Sequence, residues 1–159
     1  MNADDFRHLY DYHFSQNRKL WDMVIVPLSD DLFAHPIDYS VGSIRNQCVH
    51  VAAVDNRWFS GLRGLTEIPD VPNPILYPDK ARVRAFWDEV ESHQRAYLPT
   101  MTDETLNQEL QPGLKKWQVL YQVLNHGTDH RAQMHSILNG LGVATQPQDY
   151  FFFATGRDI

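Results

Sequence analysis

The chain has a single cysteine, Cys48, so no disulfide within it is possible and the fold must be held by its core. It has no apolar run approaching the ~20 residues of a membrane span. Its start, Met1-Asn2-Ala3-Asp4-Asp5, is acidic and polar, unlike a signal peptide. These absences set the expectation of a cytoplasmic protein with no membrane partner. Basic charge is also scarce: 14 Lys and Arg stand against 20 Asp and Glu, a net charge of -6. No run of Lys and Arg supplies the basic stripe by which proteins hold duplex nucleic acid, so nucleic acid is not an expected partner. Repeats, low-complexity segments and convincing strands are lacking too.

What is present is an ordinary globular composition, 43% hydrophobic and 21% charged. The 159 residues suit one domain spanning 1–159, long enough to bury a core unaided. Four amphipathic helical stretches stand out. The first runs from about Asp4 to Val26, with Phe6, Leu9, Tyr10, His13, Phe14, Leu20, Trp21 and Val24 at i, i+3, i+4 spacing, and Pro27 closes it. Residues 28–42 read as a connector. The second helix starts at Ser40 or Ser43, either of which suits an N-cap, and ends near Arg63 by Gly61 and Gly64. Pro69, Pro72, Pro74 and Pro78 make 66–79 a stiff, extended linker, long enough to cross a bundle. The third helix runs from an Asp79 cap to Leu98, stopped by Pro99. The fourth spans Lys116 to Leu141. Residues 100–115 fit either a short helix capped at Thr102 or a hairpin turning at Pro112-Gly113. The aromatic tail at 149–153 is expected to pack. This pattern predicts an all-α four-helix bundle with a long crossover between helices two and three.

Within the fourth helix, His126 and His130 are four residues apart, so both imidazoles leave one face. Val119, Val123, Ile137 and Leu141 share that face, which turns the pair toward the interior. Buried imidazoles need hydrogen bonds or a metal, and two on one helical face make half of a divalent-metal site. A third His from another helix would complete it, and His50 is the best candidate, on the flank of helix two's apolar arc beside Val54. The same pair is also compatible with two hydrogen-bonded core residues. Asp55 projects into the middle of that arc, about 140° around from His50, and needs an Arg or His partner from another helix. His8, His13, His35, His93 and His135 are read as non-ligands, with His13 on the apolar stripe of helix one and hydrogen-bonded. Cys48 is read as a small core residue.

Together these features resemble the DinB (DNA-damage-inducible) family. The resemblance is carried by Ser43-Ile44-Arg45-Asn46-Gln47 before His50 with Trp58 after it, and by Asn125-His126 to His130-Arg131-Ala132-Gln133. It continues through Leu138 to Gly142 and Pro147 to Asp149. It implies a four-helix bundle in which His50, His126 and His130 bind a divalent metal, zinc or nickel, and it implies a homodimer. Family members of known activity include thiol-dependent S-transferases, isomerases and hydrolases of small molecules. This chain has His-Arg-Ala-Gln where the family commonly has His-Arg-Gly-Gln, a departure that spares the ligands.

Three His ligands leave a divalent ion an open position, as in catalytic sites. The expected function is therefore a metal-dependent enzyme that activates a low-molecular-weight thiol or water toward a small-molecule electrophile. Gln133, one turn from His130, and Arg57, two turns from His50, are the further pocket candidates. No side chain is an obvious general base. The alternative is a non-enzymatic metal- or ligand-binding bundle linked to stress.

Overall fold

A computed structural model of the protein describes residues 1–157, and it is predominantly helical. Helix α1, Ala3–Lys19, opens on a capping box between Asn2 and Asp5 and runs on into a π-helical segment, Leu20–Ile25. The predicted first helix therefore covers one continuous helical run with an altered hydrogen-bond register at its end. That register, with the Val26 amide donating to the Trp21 carbonyl, leaves no mark on side-chain periodicity.

The connector after it contains a short helix, α2, Asp30–Ala34, capped by Ser29. Helix α3, Ile44–Leu62, is capped by Ser43, whose side chain accepts from the Asn46 amide. Ser40 instead lies in the left-handed region at φ 54°, in the loop before the cap. The proline-rich stretch holds one 3-10 turn, Pro74–Leu76. Helix α4, Lys80–Tyr97, has its N-cap at Asp79 and tightens into a 3-10 turn at Leu98–Thr100, where Pro99 removes a donor.

Residues 100–115 adopt both of the alternatives read from the sequence, in succession. Thr102 caps α5, Asp103–Leu106, and a hairpin of β1, Glu109–Gln111, and β2, Leu114–Lys115, turns at Gly113 with φ 80°. Helix α6, Lys116–Gly140, follows, and α7, Tyr150–Ala154, ends the described chain. The tail packs on α1: Tyr150 and Phe153 stack edgewise or tilted against His8 and Tyr12, while Phe151 stays exposed.

Helix α3 packs against α4 and α6, and α1 packs against α6. The core forms two apolar clusters. One gathers Leu20, Trp21, Ile25, Ile44, Val49, Val83, Trp87, Met134 and Leu138; the other gathers Phe6, Tyr10, Phe14, Phe59, Leu98, Val119, Leu120 and Val123. Along each of α1, α3, α4 and α6, the residues between the two clusters include buried polar ones, Gln16, Asp55, Gln94, His130 and Arg131, and His13 lies one turn or less before Gln16 on α1. The candidate site lies in this polar waist.

Candidate metal centre

Helix α3 carries His50 and helix α6 carries His126 and His130, and their packing brings one ring nitrogen of each within 4.8 Å of the others. The Nε2 atoms of His50 and His126 are 3.2 Å apart. Two nitrogens bound at about 2.0–2.1 Å to one tetrahedral ion would stand roughly 3.3 Å apart, so the observed spacing fits a shared ligand. The three rings are mutually tilted, with centroids 4.4–5.1 Å apart. His130 is buried, while His50 and His126 are half-buried, so two of the three rings keep partial contact with solvent.

Gln47, fully buried one turn before His50, accepts at Oε1 from His130 Nδ1 at 2.5 Å. An amide oxygen only accepts, so this contact puts the proton of neutral His130 on Nδ1 and leaves Nε2 a free lone pair. The Gln47 amide donates onward to Gln133 Oε1 at 3.3 Å, and Gln133 donates to Asp129 at 3.0 Å. His126 Nδ1 is buried with no partner among the described residues. His50 and His126 thus bond to each other and His130 to Gln47, which leaves half of their six ring nitrogens without a hydrogen bond among the described residues. Structural histidines in a core are ordinarily better satisfied.

Burial lowers the basicity of all three rings. For His50 the neighbouring His126 adds to it, and for His130 both other rings do, bringing that group down to about 4. Nearby Asp55 opposes the shift at each ring without reversing it. The rings are therefore neutral near pH 7, the form that donates a lone pair to a metal.

Asp55 finds the partner that its sequence position demanded. Its Oδ2 accepts from Gln94 Nε2 at 3.0 Å and faces His13 Nε2 at 3.5 Å. His13 Nδ1 stands 3.2 Å from Arg131 Nη1 and His13 Nε2 stands 3.1 Å from Asn17 Nδ2, so a donor faces each ring nitrogen. Arg131 is fully buried and also donates to Asn17 at 2.8 Å, Gln148 at 2.8 Å and Thr128 at 3.1 Å. Burial lowers it to about 10, still charged near neutrality. This His13–Arg131 contact is possible because Gly127 lies against it: a Cβ there would meet His13 Cε1 at 2.4 Å.

The other sequence candidates separate. Gln133 is half-buried and bonded to Gln47 beside the cluster. Arg57 is exposed and donates to the Pro69 carbonyl and Asp70, on the linker. His8 and His35 are exposed, His93 and His135 are half-buried outside the cluster, and Ala132 is exposed, so its methyl disturbs no packing. Cys48 packs its sulfur 3.7 Å from Met134 Sδ, and burial raises its thiol far above its usual range, so it is inert. Sequence reasoning missed the role of Gln47. Its signal was position, three residues before His50 and so on the same helical face.

No curated protein matches the chain. The model of the DinB family matches residues 1–157 of the 159, a span that takes in all three histidines of the cluster and the residues that support them, and the chain belongs to the DinB family.

Proposed function

We propose that this protein is a metal-dependent enzyme acting on a small molecule, with His50, His126 and His130 holding a divalent ion, zinc or nickel. The observation that carries this reading is the gathering of three imidazole nitrogens from two helices within 4.8 Å of one another, two of the rings being partly exposed. A divalent ion held there would acidify a thiol or a water and so supply a nucleophile toward an electrophilic substrate, the chemistry of an S-transferase or a hydrolase. Gln47 fixes the His130 ring and its tautomer, and so presents Nε2. Gln133, bonded to Gln47, would orient a polar group of the substrate beside the cluster. Arg57 is kept as a distal anchor for an anionic group, reached from its position on the linker side of α3.

The scaffold in this reading is a single DinB-type four-helix bundle in which the proline-rich linker returns the chain from one end to the other. Its support is that α3 and α4 both begin among the residues of one apolar cluster and end among those of the other. A homodimer belongs to the same reading, motivated by the family and by the exposed Tyr150 and Phe151 of the tail. Light scattering on the full chain and on one lacking residues 150–159 tests this, with the shorter chain expected at half the mass.

The deciding experiment is metal content by mass spectrometry on untagged protein, beside the triple His50, His126 and His130 to Ala variant. About one zinc or nickel per chain, lost in the variant, is expected. Equal content in both proteins would overturn the three-histidine site, and none after reconstitution with several divalent ions would move the reading to a binding module without metal.

A further inference from the structure

A cavity of about 530 Å³ lies between the loop that precedes α3 and the last turns of α6. Its walls include Pro36 and Ile37 on the loop and Gln133, Ile137, Gly140 and Leu141 on α6. On a helix these α6 positions continue one stripe with His126 and His130, since all six fall within about 100° of each other. Gln133 is only three residues beyond His130, roughly 4.5 Å along the axis. The cavity therefore begins where the histidine cluster ends, on the same face of the same helix.

Pro36, Ile37, Ile137 and Leu141 make much of its wall apolar, His35, Tyr39 and Ser136 bring polar groups to it, and the end nearest the cluster carries the Gln133 amide. That amide spends one lone pair on Gln47 and one N–H on Asp129, which leaves it a second lone pair and a second N–H. The loop wall is held in shape by two left-handed residues, Ser40 at φ 54° and Gly42 at φ 95°, and by Asn46, which donates to the Val41 carbonyl at 3.1 Å. A cavity within the size range of small-molecule sites, mainly apolar with a few polar groups on its wall, suits a ligand with an apolar body and a polar end.

We propose that this cavity receives the apolar body of the substrate, a compact group of one or two rings, whose hydrogen-bonding end meets Gln133 and points its reactive group at the histidine cluster. The proposal rests on the metal reading above for the role of that reactive group. It makes the substrate an aryl-type compound with a polar end, and sets Ile137 and Leu141 as the residues that select its apolar part.

The test uses (4-fluorophenyl)methanethiol as the probe, followed by fluorine NMR titration of the zinc-loaded full chain. Gly140 is the place to block the cavity, because an added Cβ there meets nothing within 4 Å. Gly140→Phe is expected to weaken probe binding at least tenfold, the effect of denying a ring its apolar contacts, with zinc content unchanged. Ser136→Tyr, also on an exposed lining position, is expected to act alike and guards against a folding defect in the first variant. Equal affinity in the parent and both variants, or no binding to the parent at millimolar probe, would overturn the proposal. If affinity then fell only in the triple histidine variant, the metal reading would stand without the cavity. Affinity lost in Gly140→Phe but kept in the triple histidine variant would support the cavity and sink the metal reading.

Discussion

Replacing Gly127 by Ala sets two physical effects against each other, and the structure decides between them. Helix propensity alone favours the change by about 1 kcal/mol, since Gly127 lies inside α6. The added Cβ, however, would stand 2.4 Å from His13 Cε1, 3.1 Å from His13 Nδ1 and 3.2 Å from Arg131 Nη1. Carbon atoms prefer separations of about 3.5–4.0 Å, so something must move by roughly 1 Å. Overpacking of this kind costs about 1–3 kcal/mol. The neighbour that must move is itself bonded, because His13 bridges Arg131 and Asp55, and loosening buried polar contacts costs about 1–3 kcal/mol more. The net expectation is a loss of roughly 1–5 kcal/mol. Urea denaturation of the metal-free protein measures it, with Gly140→Ala as the control. That second site has open space around its Cβ and should gain up to about 1 kcal/mol. In a His13→Ala background the Gly127 penalty should shrink by about 1–3 kcal/mol, the coupling expected of residues in contact. If Gly127→Ala proved as stable as Gly140→Ala, the close approach of α1 to α6 at this point would be wrong.

Gln47→Leu should weaken zinc binding about 10–100-fold while leaving the three ligands in place, because the His130 ring loses the acceptor that fixes it; unchanged affinity in a chelator competition would remove Gln47 from the site. The metal-free protein should lose stability in acid. His13 and the three cluster imidazoles have lowered basicity in the fold, so below about pH 6.5 the unfolded chain binds more protons than the folded one. Stability is therefore full above about 6.5 and falls as pH drops, with the His130 share spent near pH 4, at up to about 1.4 kcal/mol per pH unit for each ring. Urea midpoints that stay level between pH 7.5 and 5 would contradict this.

Local signals carried far in this chain, and contacts between distant segments did not. The shared face of His126 and His130 follows from helical spacing alone, and Ser43, Asp79 and Thr102 announced their caps by residue type and position. The hairpin at 109–115 was half visible: Gly113 marked its turn, but strands of three and two residues are too short to show alternation. Asp55 was legible as a residue needing a partner, yet its meeting with His13 joins positions 42 apart in sequence, and no periodicity encodes such a pairing. Gln47 bonds to His130 across 83 residues for the same reason. Arg131 shows the limit most plainly. A charged residue in a family-like motif reads as surface or site, whereas here it is the largest fully buried side chain, held by acceptors from α1, α6 and the segment before α7.

The low basicity of the histidine cluster shapes how it would exchange ions with its surroundings. Exposed imidazoles near neutrality are partly protonated, so a metal arriving at such a trio must first displace hydrogen ions, and mild acid ejects it again. Here burial lowers the basicity of all three rings, and neighbouring rings lower that of His50 and His130 further, so the neutral form is favoured before any ion arrives. Capture near pH 7 would displace few protons from the rings themselves. Retention would be insulated from the modest pH swings of a living cell, with occupancy governed by the supply of metal rather than by acidity.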